Sequence, residues 1–221
     1  MLPSKYPTQR EELLFSGFSI TMDIISDVDF LFNELVKKDD NHPDVQDERI
    51  PYWADLWPSA IGLSHFLIQS AIIKPGMNVL EIGCGLGLPG IVAGKLGGDV
   101  VLTDYMQEPL VFAEHNWKLN NTAKAAFKIL DWRKSDSAFA ADLVLAADVA
   151  YETKAFADLM LAFRVLVKPG GCLLMAEPNR AFAQTFFSEL KKQKVEIHST
   201  SMNGIRHQLK TKVNLYSIRP Q

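Results

Sequence analysis

Residues 78–105 read NVLEIGCGLGLPGIVAGKLGGDVVLTDY. An apolar run carries Val79 and Leu80 into Glu81, and three glycines follow at alternate positions, Gly83, Gly85 and Gly87. A short helix is expected from about Leu88, then a second apolar strand ending at Asp104. Strand, glycine turn, helix and strand make half of a nucleotide-type α/β fold. Glycine permits the backbone angles such a turn needs, and its missing Cβ lets a ligand approach the main chain. The following helix points its N-terminal N–H groups and positive dipole end into the same crevice. Asp104 stands where an acid can accept two hydrogen bonds from a ribose diol.

Two registers of the glycines compete. Gly85, Gly87 and Gly90 fit G-x-G-x-x-G, with Asp104 near the spacing of a dinucleotide's ribose acid. On that pattern an NAD-type oxidoreductase stays open. The second register, E-x-G-x-G-x-G from Glu81 to Gly87, resembles the first motif of the class I, seven-strand S-adenosylmethionine (SAM) methyltransferases. The resemblance implies that Glu81 stands near the methionine end of SAM, whose ammonium suits an acid. A pyrophosphate would be repelled by the same carboxylate.

The 221 residues suit one domain with an N-terminal extension, divided as 1–50 and 51–221. A hydrophobic fraction of 48% and a charged fraction of 22% are ordinary for a globular protein. A net charge of −3 argues against general nucleic-acid binding, which favours basic surfaces. The first residues lack a signal-like apolar stretch, and no apolar run is long enough to cross a membrane. The two cysteines, Cys84 and Cys172, have no metal-ligand spacing. A reducing, cytoplasmic setting is expected, with no membrane partner and no metal.

Outward from the glycine turn, the pattern alternates strand and helix. Phe18, Ile20, Met22 and Ile24 alternate, and a short helix is expected over about 29–37. Residues 38–47 read as a solvated acidic loop. PYWADLWPS, Pro51 to Ser59, concentrates aromatic and proline residues before a helix expected from Pro58 through Ile73, with Leu63, Phe66, Leu67 and Ser70 at helical spacing. After Asp104 come a helix over 106–121, a strand over 126–130 ending at Asp131-Trp132, and an apolar strand over 141–149. A helical stripe from Phe156 to Val167 is stopped by Pro169-Gly170-Gly171. A strand over 173–176, a helix marked by Phe182, Phe186 and Leu190, and two tail strands near 194–199 and 211–218 complete the chain. This order predicts a Rossmann-like, doubly wound α/β sheet, mostly parallel, with an antiparallel C-terminal strand. The five histidines, His42, His65, His115, His198 and His207, show no ligand spacing and read as surface or helix-face residues.

Over about 51–220 the motifs resemble the protein-lysine methyltransferase branch of the seven-strand enzymes. They include the aromatic-Trp-Pro segment, a D-x-x-Y motif at Asp148-Val149-Ala150-Tyr151, and an acid-Pro-x-Arg segment at Glu177-Pro178-Asn179-Arg180. PYWA with the last two motifs is similar to the enzymes that methylate the electron-transfer flavoprotein β subunit. Those enzymes often carry Gly-Gly where this chain has Pro58-Ser59. The resemblance implies SAM as cofactor, S-adenosylhomocysteine (SAH) as its product, and a lysine of a protein substrate as acceptor. A small-molecule acceptor and a catalytically inactive binding module are the alternatives.

The resemblance assigns Trp57, Glu81, Gly83, Cys84, Gly85, Asp104, Tyr105, Asp131, Trp132 and Ala147 to the cofactor. Asp131 would accept from the adenine amino group and Trp132 would cover the ring. Asp148 is the candidate to hold the acceptor amine and orient its lone pair, with Tyr151 forming a nearby wall. Tyr52 or Trp53 could attract a cationic acceptor through its ring face.

Overall fold

The computed structural model describes residues 2–3, 5–181, 183–206 and 209–220; Phe182 and His207 lie outside them. A hairpin, β1 (Thr8–Phe15) and β2 (Phe18–Ile25), precedes two short helices, α1 (Val28–Val36) and α2 (Pro43–Gln46). PYWADLWPS makes a 3-10 turn at Tyr52–Ala54 and enters α3 (Pro58–Ser70). The core then runs β3 (Asn78–Ile82), α4 (Leu88–Lys95), β4 (Asp99–Asp104), α5 (Gln107–Asn120), β5 (Ala126–Ile129), β6 (Ala141–Ala147), α6 (Phe156–Leu166) and β7 (Val167–Glu177). It closes with α7 (Ala183–Lys191), β8 (Val195–Arg206) and β9 (Leu209–Pro220).

Seven strands form one sheet in the order β5-β4-β3-β6-β7-β9-β8. Neighbours from β5 to β7 are parallel. The closing hairpin places β9 between β7 and β8, antiparallel to both. The expected α/β sheet and its antiparallel ending are therefore the observed ones. The chain winds outward through β4 and β5, then returns to lay β6 on the other side of β3. Strand order reverses between β3 and β6, and ligands of open α/β sheets bind beyond the carboxyl ends at such a switch.

Both faces of the sheet are covered, so the central strands are apolar on both sides. Leu143 and Leu145 of β6 pack with the hairpin, α3, α4 and α5 on one face. Val144 and Ala146 pack with α6 and α7 on the other. The extension over residues 1–50 is packed into the core of 51–221: Ile20, Met22 and Ile24 are buried in the same cluster as Leu63, Ile91 and Phe112.

Several boundaries differ from expectation. α3 ends at Ser70 because Ala71 turns left-handed (φ 49°), three residues before Lys74-Pro75-Gly76. Ser70 is exposed and does not belong to the packed stripe. β7 begins at Val167, not Leu173, since the Pro169-Gly170-Gly171 stretch lies inside the strand as an irregularity. Ala141 pairs with Val167, but Leu143 pairs with Cys172. The tail strands are longer than expected because each supports the other's backbone hydrogen bonds along twelve residues. Residues 38–47 are not a plain solvated loop: they contain α2, and Asp44 pairs with Lys38 and Arg49.

Asn116 joins the hairpin to the core. Its Oδ1 accepts from the Asp23 N–H at 2.8 Å, and its Nδ2 donates to the carbonyls of Asp23 (3.2 Å) and Leu86 (3.3 Å). The side chain is fully buried. Asn116→Ala strands these backbone groups without partners. The expected cost is about 1–3 kcal/mol, read as a lower urea midpoint. Hydrogen exchange should speed first in β2, and unchanged protection there would show that the hairpin is held by packing alone.

Candidate active site

Two acids fix the loop after β3. Asp104, at the end of β4, accepts from the N–H groups of Gly85 (3.1 Å) and Met106 (3.2 Å). Glu81, inside β3, accepts from the Gly90 N–H at 2.9 Å. The loop is also tied to β4 through Cys84 N–H to Thr103 O, at 2.9 Å. Gly85 has φ +51°, and a Cβ there would lie 3.2 Å from the Trp53 carbonyl oxygen. At Gly90 a Cβ would fall 2.5 Å from the Glu81 carboxyl. Leu102 of β4 would also lie 2.9 Å from it, so Gly90 is a glycine because α4 packs closely on β3 and β4, a requirement that both registers share.

Burial raises the Glu81 carboxyl to about 8, against the pull of the Gly90 N–H; Asp104 nearby adds to the rise. Burial raises Asp104 to about 6, opposed by the N–H groups that it accepts. At neutral pH Glu81 therefore keeps its proton while Asp104 is ionised. Each Asp104 oxygen accepts one of these backbone N–H groups, and an ionised carboxylate offers about four lone-pair sites. Capacity remains for a diol.

The loop borders a cavity with about 800 Å³ of empty space, part of it open to solvent. Trp57, Glu81, Gly83, Cys84, Gly85, Asp104, Tyr105, Trp132, Ala147, Asp148 and Tyr151 all line it. Asp131 does not. It borders an adjoining cleft with Tyr105, Trp132 and Arg133, and its carboxylate accepts from Arg133 Nε at 2.8 Å and from the Arg133 N–H at 3.0 Å. Arg133 also reaches Asp47 at 2.9 Å, so the acid expected to be solvated carries one wall of this cleft. Tyr105 stands near the guanidinium groups of Arg49 (5.6 Å) and Arg133 (5.5 Å), and burial raises its hydroxyl to about 12. Trp57 and Trp132 are half-buried at the cavity wall, not in the sealed core. Trp53 turns its ring towards Phe112, at 5.5 Å, and Tyr6, at 6.2 Å.

Asp148 follows β6 in a left-handed conformation, φ 59°, with its N–H on the Ala176 carbonyl at 2.8 Å. It caps no helix. Its carboxylate forms an ion pair with Arg180 and takes a 3.4 Å hydrogen bond from the Ser59 hydroxyl. A smaller vestibule opens here, bordered by Tyr52, Trp57, Asp148, Tyr151, Glu152 and Arg180. Tyr52 lies 5.5 Å from Tyr151 and 6.1 Å from Trp57, ring centre to ring centre. Burial raises the Tyr151 hydroxyl, so it stays protonated.

Sequence reasoning found Arg180 only as part of a motif and missed Ser59, Arg49 and Arg133 as site residues. Ser59 meets Asp148 across 89 positions and Arg133 meets Asp47 across 86, while the local pairs Arg133–Asp131 and Arg49–Asp44 look like ordinary surface charge in the sequence. Two histidines carry structural jobs: His42 Nδ1 accepts from the Asp44 N–H (3.1 Å), and His115 meets Asp23 at 2.7 Å. His65 packs on Phe15, and burial lowers its pKa.

Comparison with known proteins places this arrangement. The chain is 35% identical over 130 residues to protein N-lysine methyltransferase METTL21A of Mus musculus, covering 56% of this chain and 59% of that protein. It is 32% identical over 123 residues to histone-arginine methyltransferase METTL23 of Xenopus laevis, covering 53% of each. It thus spans little more than half the length of these relatives. In fold it is similar to magnesium protoporphyrin IX methyltransferase of Synechocystis, solved with bound SAM: the TM-score is 0.56 at 17% identity, over 88% of this chain and 92% of that one. A family profile described as lysine methyltransferase matches residues 45–193, more than half of the chain, and the protein is a member of that family.

Proposed function

We propose that the protein is a SAM-dependent methyltransferase that N-methylates a lysine of a protein substrate. The observation that carries this reading is a single cavity lined by Asp104, the glycine loop and Asp148 together. The family it belongs to sets aside the oxidoreductase alternative. Two free, buried cysteines agree with a reducing, cytoplasmic setting, and no helix among the described residues is long and apolar enough to cross a membrane.

The wall suits the cofactor chemically. Asp104 offers lone pairs for the ribose diol, Glu81 offers a carboxyl for the ammonium, and Gly83, Cys84 and Gly85 let the main chain come close. Trp132, Tyr105 and Ala147 provide the surface for the adenosine, with Asp131 at its edge. Trp57 stands towards the acceptor end. When bound, SAM supplies an activated sulfonium methyl. Asp148 holds the acceptor's cation and then orients the nitrogen lone pair once its proton has left. Tyr151, Tyr52 and Trp57 wall the approach and limit water. Such positioning can contribute roughly 7–11 kcal/mol in favourable cases.

One observation favours a second acceptor class. A guanidinium, that of Arg180, already sits on Asp148, and one of the relatives is named for arginine methylation. Labelled-methyl transfer from SAM into cell extract, followed by size separation and hydrolysis, decides between them. Methyl-lysine in the protein fraction supports the main reading, methyl-arginine the second. Label confined to small molecules overturns both.

The cofactor side and the acceptor side should respond separately to mutation. Asp104→Ala is expected to weaken SAH binding by at least tenfold, since hydrogen bonds to a charged group contribute about 1.5–3 kcal/mol each. Asp148→Asn should leave SAH affinity nearly unchanged and slow methyl transfer strongly. Calorimetry and a transfer assay on the same folded variants check both. Equal loss of SAH affinity in the two variants would place Asp148 in the cofactor pocket.

The raised carboxyls also set a pH dependence. Unfolded Glu81 ionises near 4.5 and folded Glu81 near 8; for Asp104 the values are 3.8 and about 6. Between each pair the folded chain holds a proton that the unfolded chain has released, so stability falls as pH rises through those windows. The unfolding midpoint of the ligand-free protein should fall from pH 5 to pH 8. In Glu81→Gln, the part of that fall above pH 6 should vanish. An ammonium beside Glu81 favours its ionised form, so SAH binding at pH 7 should release about one proton, measurable in buffers of different ionisation enthalpy. No proton release would mean that the ammonium lies elsewhere.

A further inference from the structure

We propose that Arg180 is the resident cation of the acceptor channel, and that a cationic substrate side chain displaces it from Asp148. The exchange itself is a property of the vestibule, whereas its link to methyl transfer rests on the methyltransferase function proposed for the same site.

The vestibule has the chemistry of a cation site. Three aromatic rings, Tyr52, Trp57 and Tyr151, surround it, with the carboxyl groups of Asp148 and Glu152. Ring faces attract a nearby cation, and more so where water is excluded. Four of its residues, Tyr52, Trp57, Asp148 and Tyr151, also line the cavity of the glycine loop, so the two spaces share a wall. The protein's own cation already fills the position. The Arg180 guanidinium lies 5.9 Å from the Trp57 ring, and its two terminal nitrogens donate to the two oxygens of Asp148.

The two partners of this ion pair differ in freedom. The Asp148 side chain is 6% exposed, and its backbone is pinned to β7. The Arg180 side chain is 27% exposed and rises from the loop after β7. That loop is anchored beneath it by the Arg180 N–H on Glu177 Oε2, at 2.9 Å. Only the long arginine stem needs to move for the pair to part. The guanidinium can move into water and be solvated there, whereas the carboxylate cannot follow. If Arg180 leaves alone, a buried carboxylate loses its partner, which is strongly unfavourable. The channel therefore opens by exchange of one cation for another. A neutral side chain cannot supply that exchange, so Arg180 selects for charged acceptors.

The test uses n-butylammonium as the probe, titrated into the ligand-free and the SAH-saturated protein. The indole N–H signal of Trp57 in NMR reads the vestibule directly. Arg180→Gln should bind the probe about tenfold more tightly than wild type, a difference of about 1.4 kcal/mol. Arg180→Lys should fall between them, because an ammonium lacks the planar fork that holds both oxygens. Adding Asp148→Asn to Arg180→Gln should abolish the gain, and n-butanol should show none. If both Arg180 variants keep the wild-type unfolding midpoint yet bind the probe no more tightly, Arg180 is a fixed strut and the proposal falls. If SAH stabilises no variant, the methyltransferase reading falls instead, and titration of the ligand-free protein still decides the exchange.

Discussion

Two buried acids hold the loop between β3 and α4, and the cavity is arranged around them. Glu81 takes the Gly90 N–H from the first turn of α4 and so sets how closely the helix approaches β3. Asp104 takes the Gly85 N–H and sets how far the loop reaches over β4. Neither acid is inexpensive to bury: both are held well above the ordinary carboxylate range. An enclosed acid that keeps its proton, beside one that has lost it, is a poor choice for stability alone. The pair becomes intelligible if a ligand brings an ammonium and a diol to the same wall.

The rest of the chain steadies that wall from outside. Trp53 presses its backbone against Gly85 and its ring against Phe112 and Tyr6. Asn116 ties the Leu86 carbonyl to β2, so the N-terminal hairpin supports the loop through α5. On the far side, Arg206 at the end of β8 pairs with Asp55 and donates to the Leu56 carbonyl at 3.0 Å. Segments remote in sequence thus converge on the short aromatic stretch before α3. The glycine loop is braced by backbone hydrogen bonds and packed rings. At the vestibule the bracing is a single ion pair between buried Asp148 and the more exposed Arg180.

Two of the four non-glycine residues with positive φ among the described residues stand at this end of the sheet. Asp148 and Asn179 are non-glycine residues with positive φ, 59° and 62°, at the carboxyl ends of adjacent strands β6 and β7. Asp and Asn tolerate the left-handed region better than most residues. The turn at Asp148 aims its carboxylate into the vestibule, and the turn at Asn179 brings Arg180 back over it.

The sheet and the glycine loop were legible along the chain, and most of the cavity wall followed from the motifs of the family that it resembles. The first two follow from local rules: apolar runs with alternating turns, glycines where a side chain would collide, acids at strand ends. Glu81 and Asp104 could be located because each sits at a fixed offset from such a signal, whereas Asp148 and Tyr151 were located through the motif of the family that the chain resembles. The partners of the polar and charged side chains come only from the fold. Asp47 reaches Arg133 across 86 positions, Arg180 reaches Asp148 across 32, and Asn116 reaches Asp23 across 93. It also moved the start of β7 to Val167, since pairing with Ala141 overrides the break that Pro169 and the two glycines suggest. The physical reason is the same in each case. Backbone preference and burial pattern are written along the chain, whereas the partner of a charge is whichever group the fold brings within a few ångströms.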